Sequence, residues 1–301
     1  MNYKKLFRTR EARMKVLNFL RFIPDKYMIQ LQYRIKFGRK LNLKDPKRFT
    51  EKLQWYKLYY RNPIMKQCVN KYAVRDYVKS KGLQDILVPL YAHYNRVEDI
   101  DWENLPDRFV IKTQHDGGGW NVVIVQDKKN LNKEEVIQKL SFSGTKSEKN
   151  AVGREWAYYE IPKGIIAEEL LTNHENPGAP INDYKIYCFS GVPKYIHVDV
   201  DRFIGHKRNF FDVQWNQLDL QSEYPNYPGK IAKPDQLEKM LKIAGILSED
   251  FPFVRVDLYN VNGKVYFGEL TFYPSAGYAD HHPDEWDYEF GKDFELKPFQ
   301  S

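Results

Sequence analysis

The sequence predicts an α+β fold in which short helices and antiparallel strands are mixed. Helices and strands do not alternate in the regular way that a parallel sheet requires, which is the first observation. The second is a hairpin near the C-terminus, because residues 254–259 and 265–271 both alternate apolar and polar side chains with the period of a strand. Asn262-Gly263 lies between them and is a strong signal for a two-residue turn.

Composition places the chain among ordinary globular proteins. It has 301 residues, of which 42% are hydrophobic and 29% charged, enough for a sizeable core. Cys68 and Cys188 are far apart in apolar surroundings, so we expect buried thiols in a reducing compartment. No apolar run has the length of a membrane span, and the N-terminus lacks a secretion signal. These observations predict a cytoplasmic protein.

The net charge of +7 is concentrated in the N-terminal region. Residues 1–48 contain 15 Lys/Arg against three acidic residues, so the remainder is net negative. A basic segment of this kind attracts an anionic membrane face, nucleic acid or an acidic polymer. The apolar side chains of residues 14–23 allow an interfacial helix at the inner membrane face, and a solvated helix packed on the domain is the alternative. No motif typical of RNA-binding modules occurs, so we expect no nucleic-acid partner.

The first part of the chain is predicted to be mainly helical. Pro24 separates the first two helices, Thr50 caps the third, and Gly82 ends the fourth. The predicted helices span residues 4–22, 26–37, 50–59 and 65–80.

Strands become frequent after a turn near residue 104. The predicted strands span residues 108–113, 120–125, 164–171, 183–189 and 195–201, and the predicted helices span residues 132–141, 147–158 and 234–246. The first two strands enclose Asp116-Gly117-Gly118-Gly119, a loop with almost no side chains. Such a loop lets backbone N–H groups approach a phosphate, and Lys112 at the strand end would point at the same anion. A flexible hairpin tip is the alternative, and no Walker A or Rossmann pattern is present.

The C-terminal hairpin collects charged side chains. Arg255, Asp257, Glu269 and Thr271 are expected to share one face, because residues two apart in a strand point the same way. Two neighbouring carboxylates repel each other unless a cation lies between them. Oxygen ligands of this kind suit Mg²⁺, which commonly takes one or two carboxylates and completes its shell with substrate phosphates. An ordinary surface hairpin with a charge pair is the alternative.

Two further groups of polar residues stand out. Glu168 and Glu169 interrupt an apolar strand, and acids in such a run usually serve a ligand or a buried partner. His281 and His282 look like part of a metal cluster, but adjacent residues point in different directions. For the two histidines we therefore expect a substrate-side loop or a plain polar turn.

Taken in this order, the motifs resemble the ATP-grasp fold, and in detail its TupA-like branch from bacterial cell-surface polysaccharide and teichuronopeptide synthesis. The resemblance covers about residues 66–280. It is carried by Asn70-Lys71-Tyr72-Ala73-Val74-Arg75-Asp76-Tyr77-Val78, Phe109-Val110-Ile111-Lys112, Asp183-Tyr184-Lys185 and Gly268-Glu269-Leu270-Thr271-Phe272. It implies two α+β subdomains that grip ATP. The expected division is a basic helical region over 1–64, a small N-terminal α/β part over 65–104, and a core over 105–301 with a hinge near 164–171.

The resemblance implies a nucleotide site. Lys71 and Lys112 would contact the phosphates, and the loop Asp116–Gly119 would fold over them. Adenine and ribose would bind at the hinge residues Glu168, Glu169 and Leu170.

The resemblance also implies a metal site and a transfer site. Asp257 and Glu269 would hold Mg²⁺, and Thr271 stands where ATP-grasp proteins usually carry Asn, so the third metal ligand departs from the family pattern. The residues implied for phosphate and acceptor contacts are Lys185, Arg208, Asn209 and Arg255, with Arg255 stabilising the γ-phosphoryl group.

The implied activity is that of an ATP- and Mg²⁺-dependent carboxylate–amine ligase. A carboxylate would attack the γ-phosphorus to give an acyl phosphate, and an amine would then displace phosphate and leave an amide. The expected partners are ATP, an amino acid or other amine, and a uronic acid of a capsular glycan or nucleotide sugar. A glycosyltransferase using Asp199-Val200-Asp201, a sugar kinase and a non-catalytic glycan-binding module are the alternatives.

Overall fold

Two antiparallel sheets form the framework of the protein in the computed structural model, which describes residues 19–115, 121–141, 153–174, 181–200 and 205–297. The first sheet contains β1 (Leu90–Tyr94), β2 (Phe109–Thr113), β3 (Val122–Val125) and β4 (Ile165–Glu169), in the order β1-β4-β2-β3. The second contains β5 (Asp183–Phe189), β6 (Val192–Val200), β7 (Lys207–Asp212), β8 (Phe253–Val261) and β9 (Lys264–Thr271), in the order β7-β6-β5-β8-β9.

Seven α-helices are present in these described ranges. They are α1 (Asp25–Phe37), α2 (Phe49–Tyr59), α3 (Ile64–Val69), α4 (Val74–Ser80), α5 (Lys133–Ser141), α6 (Leu237–Ser248) and α7 (Glu285–Asp293). The mixture of helices with antiparallel sheets confirms the predicted α+β class. None of these helices combines the length and the apolar character that crossing a bilayer requires.

The five-stranded sheet is covered differently on its two faces. Helix α6 buries one face, where the Cys188 thiol lies 3.7 Å from the Ala244 carbonyl oxygen. At one end of the other face, α2 and α7 pack aromatic rings over the strands. The Phe49 ring lies 5.0 Å from Phe253 and 5.7 Å from Phe290, measured between centroids. The same face is polar towards its other end, and this is where the candidate site lies.

Helix α2 therefore belongs to the same core as the C-terminal sheet. Phe49, Leu53 and Tyr56 are buried together with residues of β5 and β8. The predicted division of the chain at residues 64 and 104 remains a prediction.

The predicted C-terminal hairpin is confirmed. Asn262 and Gly263 both have positive φ, at 53° and 73°, as a type I′ turn between twisted strands requires. Asp257 is directly opposite Glu269, and Arg255 is directly opposite Thr271. The four polar side chains therefore share one face, as predicted. The reason is not alternation alone, because the turn by itself would pair Asp257 with Gly268, and a register shift between Asp257 and Leu258 brings Glu269 opposite Asp257 instead.

The single helix predicted over residues 65–80 is wrong. Helix α3 ends at Val69 and α4 begins at Val74. The Asn70 side chain accepts hydrogen bonds from the backbone N–H groups of Tyr72 at 2.9 Å and Ala73 at 3.0 Å. An Asn side chain that bonds nearby N–H groups in this way competes with helical hydrogen bonds, and the helix breaks there.

The predicted capping role of Thr50 is also wrong. Helix α2 begins one residue earlier, and the Glu51 carboxylate accepts hydrogen bonds from the backbone N–H groups of Lys47 at 3.0 Å and Arg48 at 3.3 Å. The Thr50 hydroxyl instead donates to the Asp287 carboxylate at 2.8 Å. The Thr50 side chain therefore contacts a residue 237 positions later in the sequence instead of capping its own helix.

Several predicted boundaries move, and some predictions lie outside the described residues. Strand β6 begins at Val192 rather than at 195, and residues 156–158 form a short 3-10 turn rather than the end of a helix. Most of the predicted helix over 4–22 lies outside the described residues, as does 147–152.

Candidate active site

The register of the five-stranded sheet brings distant charged residues onto one face. Asp199 on β6 lies opposite Asp183 on β5. Lys185 on β5 lies opposite Asp257 on β8, and Asp257 lies opposite Glu269 on β9. Residues directly opposite each other in a sheet share a face and lie close together. The face therefore carries a continuous row of charged side chains.

Lys185 lies at the centre of this row. Its ammonium group contacts the Asp183 carboxylate and lies 3.5 Å from Asp199 and 3.6 Å from Asp257. All four side chains are buried. A buried charge is tolerated only when it is paired, so this lysine and its three carboxylates depend on one another.

Arg255 organises the neighbouring part of the row. Its Nε and Nη2 atoms both donate to the Asp257 carboxylate at 2.7 Å, which is the bidentate geometry of strong ion pairs. Nη2 also donates to the Thr271 hydroxyl at 3.1 Å and lies 3.6 Å from Glu269. Burial raises the pKa of Asp257 above its ordinary value, although Arg255 and Lys185 act in the opposite direction.

Glu269 is ionised and reachable from solvent. Burial acts to raise its pKa, but Arg255, Lys71 and Lys185 outweigh this effect and lower the pKa to about 2. The side chain is 42% exposed. It lines a small cavity of about 10 Å³ together with Lys71 and Gly268, which is room for about one water molecule.

The residues present fit a magnesium ion by their chemistry. Asp257 and Glu269 are directly opposed carboxylates, and each Asp257 oxygen keeps a further lone pair after accepting from Arg255. The Thr271 hydroxyl donates to Glu269 at 3.2 Å and thereby orients it. Among the described residues, no group of three or more His, Cys, Asp or Glu side chains is arranged to hold a metal. The metal-binding role of Asp257, Glu269 and Thr271 remains a prediction.

A second cluster lies on the four-stranded sheet. The Lys112 ammonium group lies 2.5 Å from one oxygen of the buried Glu168 carboxylate, and Arg75 lies 3.5 Å from the other. Arg75 is held in place because it also donates to the Val88 carbonyl at 3.0 Å. The Glu168 carboxylate therefore bridges two cations, Lys112 from β2 and Arg75 from α4.

The remaining predicted nucleotide contacts lie near this cluster or outside the described residues. Glu169 ends β4, where its backbone N–H donates to the Pro89 carbonyl at 2.9 Å, and Leu170 follows directly. The predicted loop Asp116-Gly117-Gly118-Gly119 lies outside the described residues.

Lys71 lies between the end of β2 and the cluster around Glu269. Its backbone N–H donates to the Gln114 carbonyl at 2.9 Å, just beyond the end of β2. Its side chain lines the cavity beside Glu269 and lowers the pKa of that carboxyl group. Lys71 thus lies where the two sheets approach each other, although a shared role of both clusters on one triphosphate stays a prediction.

Arg208 and Asn209 point in opposite directions. Arg208 donates to Asp199 at 2.7 Å and to Glu223 at 2.8 Å on the polar face. The Asn209 amide is held by the main chain of Tyr227, with hydrogen bonds of 2.8 and 3.0 Å, and is fully buried. A joint role of these neighbours on one phosphate remains a prediction.

Several site residues were missed from the sequence. Asp183 precedes Lys185 by two residues and shares its face, so strand alternation was a sufficient signal. Asp199 was noted only as part of a glycosyltransferase-like motif. His197 is fully buried, with its Nδ1 atom 3.2 Å from the Tyr187 hydroxyl, and burial with neighbouring cations lowers its pKa well below the ordinary value. Glu223 reaches Arg208 from a distant loop, and nothing local predicted that contact.

The neighbouring residues His281 and His282 lie in different surroundings. His281 is buried, with its ring 5.4 Å from the Phe290 ring and its Nδ1 atom 3.9 Å from Asp287. His282 is exposed. Adjacent residues do point in different directions, as expected.

The family model described as TupA-like ATP-grasp matches residues 51–295. The chain belongs to the TupA-like ATP-grasp family. This confirms the resemblance seen in the sequence and the predicted ATP-grasp fold over the matched residues. No protein of curated function matched the sequence.

Solved structures of similar fold include three amino-acid ligases. D-alanine–D-alanine ligase from Helicobacter pylori is 16% identical, with a TM-score of 0.43 over 82% of this chain and 68% of that chain. L-amino acid ligase from Bacillus licheniformis is 16% identical, with a TM-score of 0.44 over 90% and 55%. D-alanine–D-alanine ligase from Bacillus anthracis is 17% identical, with a TM-score of 0.41 over 68% and 57%. This chain thus spans little more than half the length of the last two.

Proposed function

We propose that this TupA-like ATP-grasp protein is an ATP- and Mg²⁺-dependent ligase that joins a carboxylate to an amine. The observation that carries the proposal is the opposed pair Asp257 and Glu269, with Arg255 and Lys185 beside it on one face. Phosphoryl transfer requires positioning and charge neutralisation more than covalent chemistry, and this group of residues offers both.

The proposed reaction has two steps. A carboxylate oxygen of the substrate attacks the γ-phosphorus of ATP, and ADP leaves with the bridging oxygen. The amine nitrogen then attacks the acyl carbon of the acyl phosphate, phosphate departs, and the amine proton passes to solvent. No nucleophilic side chain is required in either step.

The basic residues of the two clusters have two roles in this scheme. Arg255 and Lys185 stabilise negative charge on the transferring group, and Lys71 and Lys112 bind the nucleotide phosphates. Magnesium, held by Asp257 and Glu269, supplies further charge neutralisation when it is bound.

We further propose that the carboxylate is a uronic acid of a bacterial capsular or cell-surface glycan, either in polymer or as a nucleotide sugar. The support is the resemblance of the motifs to the polysaccharide and teichuronopeptide branch. The amine is an amino acid or a related compound.

The test is a product analysis with the purified protein, ATP, Mg²⁺ and a panel of uronates and amines. We expect ADP, phosphate and amide in equal amounts. Substrate labelled with ¹⁸O in its carboxylate should transfer one label to phosphate, because the acyl oxygen bonded to phosphorus leaves with it. AMP and pyrophosphate as products, or unlabelled phosphate, would refute the mechanism.

The same assay separates the alternatives. UDP released from a sugar nucleotide without ATP would indicate a glycosyltransferase, and ADP without free phosphate would indicate a sugar kinase. The structure gives no support to the former, because Asp199 of the Asp-x-Asp motif lies in an antiparallel sheet rather than in the parallel sheet of a Rossmann-like nucleotide-sugar domain.

A further inference from the structure

Helix α1 carries a row of apolar side chains on its outward face. Tyr27, Leu31 and Ile35 follow one another at four-residue spacing and are 63%, 46% and 42% exposed. Residues with this spacing lie above one another on a helix, so the row is about 12 Å long. The opposite face of the helix is buried through Ile29 and Tyr33.

Two phenylalanine rings extend this apolar surface. Phe19 and Phe22 are 76% and 74% exposed and lie at the turn just before α1. Arg154, which is 1% exposed, fixes the turn by donating to the carbonyls of Leu20 at 3.0 Å and Ile23 at 2.8 Å. The two rings are therefore presented to solvent by a turn that is anchored to the protein body.

A basic groove runs alongside. Lys26, Lys40 and Lys44 line an open groove of about 570 Å³ together with Gln30 and Tyr59. In the part of the chain that the structure describes, no ion pair joins these lysines to a carboxylate. Nine Lys/Arg and two acidic residues occur between residues 19 and 48, so this segment carries an excess of positive charge to which the three groove lysines contribute.

We propose that this surface docks the protein onto an anionic bilayer. The α1 docking face consists of the rings of Phe19 and Phe22, the apolar row of α1, and the lysine groove. Exposed apolar side chains beside a basic stripe are typical of helices that lie in the membrane interface. The groove would take lipid headgroup phosphates, and the apolar row would reach the acyl boundary. At 13 residues, α1 is too short to span a bilayer.

The lysines and the apolar side chains set the expected strength of binding to an anionic bilayer. A lysine near an anionic surface strengthens binding by about fivefold, and the three groove lysines together by on the order of 100-fold. Each apolar side chain of the row adds about tenfold when it leaves water. The proposal does not depend on the ligase activity.

The experiment is sedimentation of the full chain with vesicles of phosphatidylcholine alone or with roughly one third phosphatidylglycerol. We expect binding to the anionic vesicles that weakens with salt. Leu31→Ser with Ile35→Ser should weaken it ~100-fold, and Lys26→Gln with Lys40→Gln and Lys44→Gln should weaken it by a similar factor.

Matched controls remove the same chemistry elsewhere. Ile124→Ser removes an equally exposed apolar side chain from β3. Lys233→Gln with Lys239→Gln and Lys242→Gln removes three exposed lysines near and in α6. Both controls should bind as the unchanged protein does, and circular dichroism should show all variants folded.

Four results would overturn the proposal. One is equal loss of binding in the control lysine variant, which would mean non-specific attraction. Another is vesicle binding that depends on residues 1–18 but not on Leu31 and Ile35. If light scattering shows dimers that the Leu31→Ser substitution converts to monomers, the face binds a second copy of this chain. Binding to soluble polygalacturonate but not to anionic vesicles would assign it to an acidic polymer.

Discussion

Replacing Glu269 by Gln should abolish most activity and leave the fold intact. Glu269 lies 3.6 Å from Arg255, which is a gross attraction of about 5 kcal/mol at an effective dielectric constant of ~20. The side chain is 42% exposed, so solvent screening reduces its net contribution to the free energy of unfolding to about 1 kcal/mol or less. For a chain of this size that corresponds to a fall in Tm of about 2 °C.

The expected effect on catalysis is far larger. The substitution removes one of two carboxylates proposed to hold Mg²⁺, and a lost contact to a charged group costs about 2–3 kcal/mol. We therefore expect kcat/KM for ADP release to fall ~100-fold and the Mg²⁺ concentration needed for half-maximal rate to rise. The assay is coupled ADP release as a function of Mg²⁺, alongside a thermal melt.

Two comparison variants make this result interpretable. Glu249→Gln removes another partly exposed carboxylate in an ion pair, with Lys81 at 2.7 Å, outside the site, and should leave activity unchanged. Asp257→Asn breaks a buried bidentate pair and should lose activity and also ~3–5 kcal/mol of stability. If Glu269→Gln retains activity within about threefold of the unchanged protein at every Mg²⁺ concentration, the assignment of this carboxylate is wrong.

Three further predictions concern stability. Arg208→Met leaves the buried Asp199 carboxylate without its bond of 2.7 Å, and urea unfolding should show a loss of ~3–5 kcal/mol, which Arg208→Lys restores only in part. The pKa of Glu269 is lowered to about 2, so the stabilisation by its ionised form is complete above its ordinary pKa near 4.5 and is lost as the pH falls towards 2. The free energy of unfolding of the Glu269→Gln variant should lack this dependence on pH. An identical pH dependence in both proteins would contradict the assignment. Asp287→Asn weakens the two bonds to Thr50, at 2.9 and 2.8 Å, and should lower stability by ~2–3 kcal/mol in the same experiment, whereas no change would show that these bonds are dispensable.

Local patterns in the sequence were enough for part of the site. The Asn-Gly turn and the alternation around it set the register of β8 and β9 as far as the pair Leu258 and Phe267, and they place Arg255 and Asp257 on one face. Asp257 is opposite Glu269 only because the register shifts by one residue at this point, and no local signal predicted that shift. Both signals act over a few residues, where backbone geometry leaves few choices. The order of the motifs was likewise enough to indicate the family.

Other features depended on contacts between distant parts of the chain. The break at Asn70 arose because a side chain competed with helical hydrogen bonds, and propensity alone does not decide that competition. Thr50 faced Asp287 across the folded protein rather than capping its own helix.

The sequence by itself determined the α+β class, the family, and the face shared by Arg255 and Asp257, because strand alternation is a property of the local backbone. Only the tertiary structure decided that Lys185 lies among three buried carboxylates and that Lys71 reaches Glu269. The grouping around Lys185 follows from the pairing of β5 with β6 and β8, which is chosen by the burial of whole sheet faces rather than by any neighbouring residue. The second grouping follows from the packing of the segment after α3 beside β9.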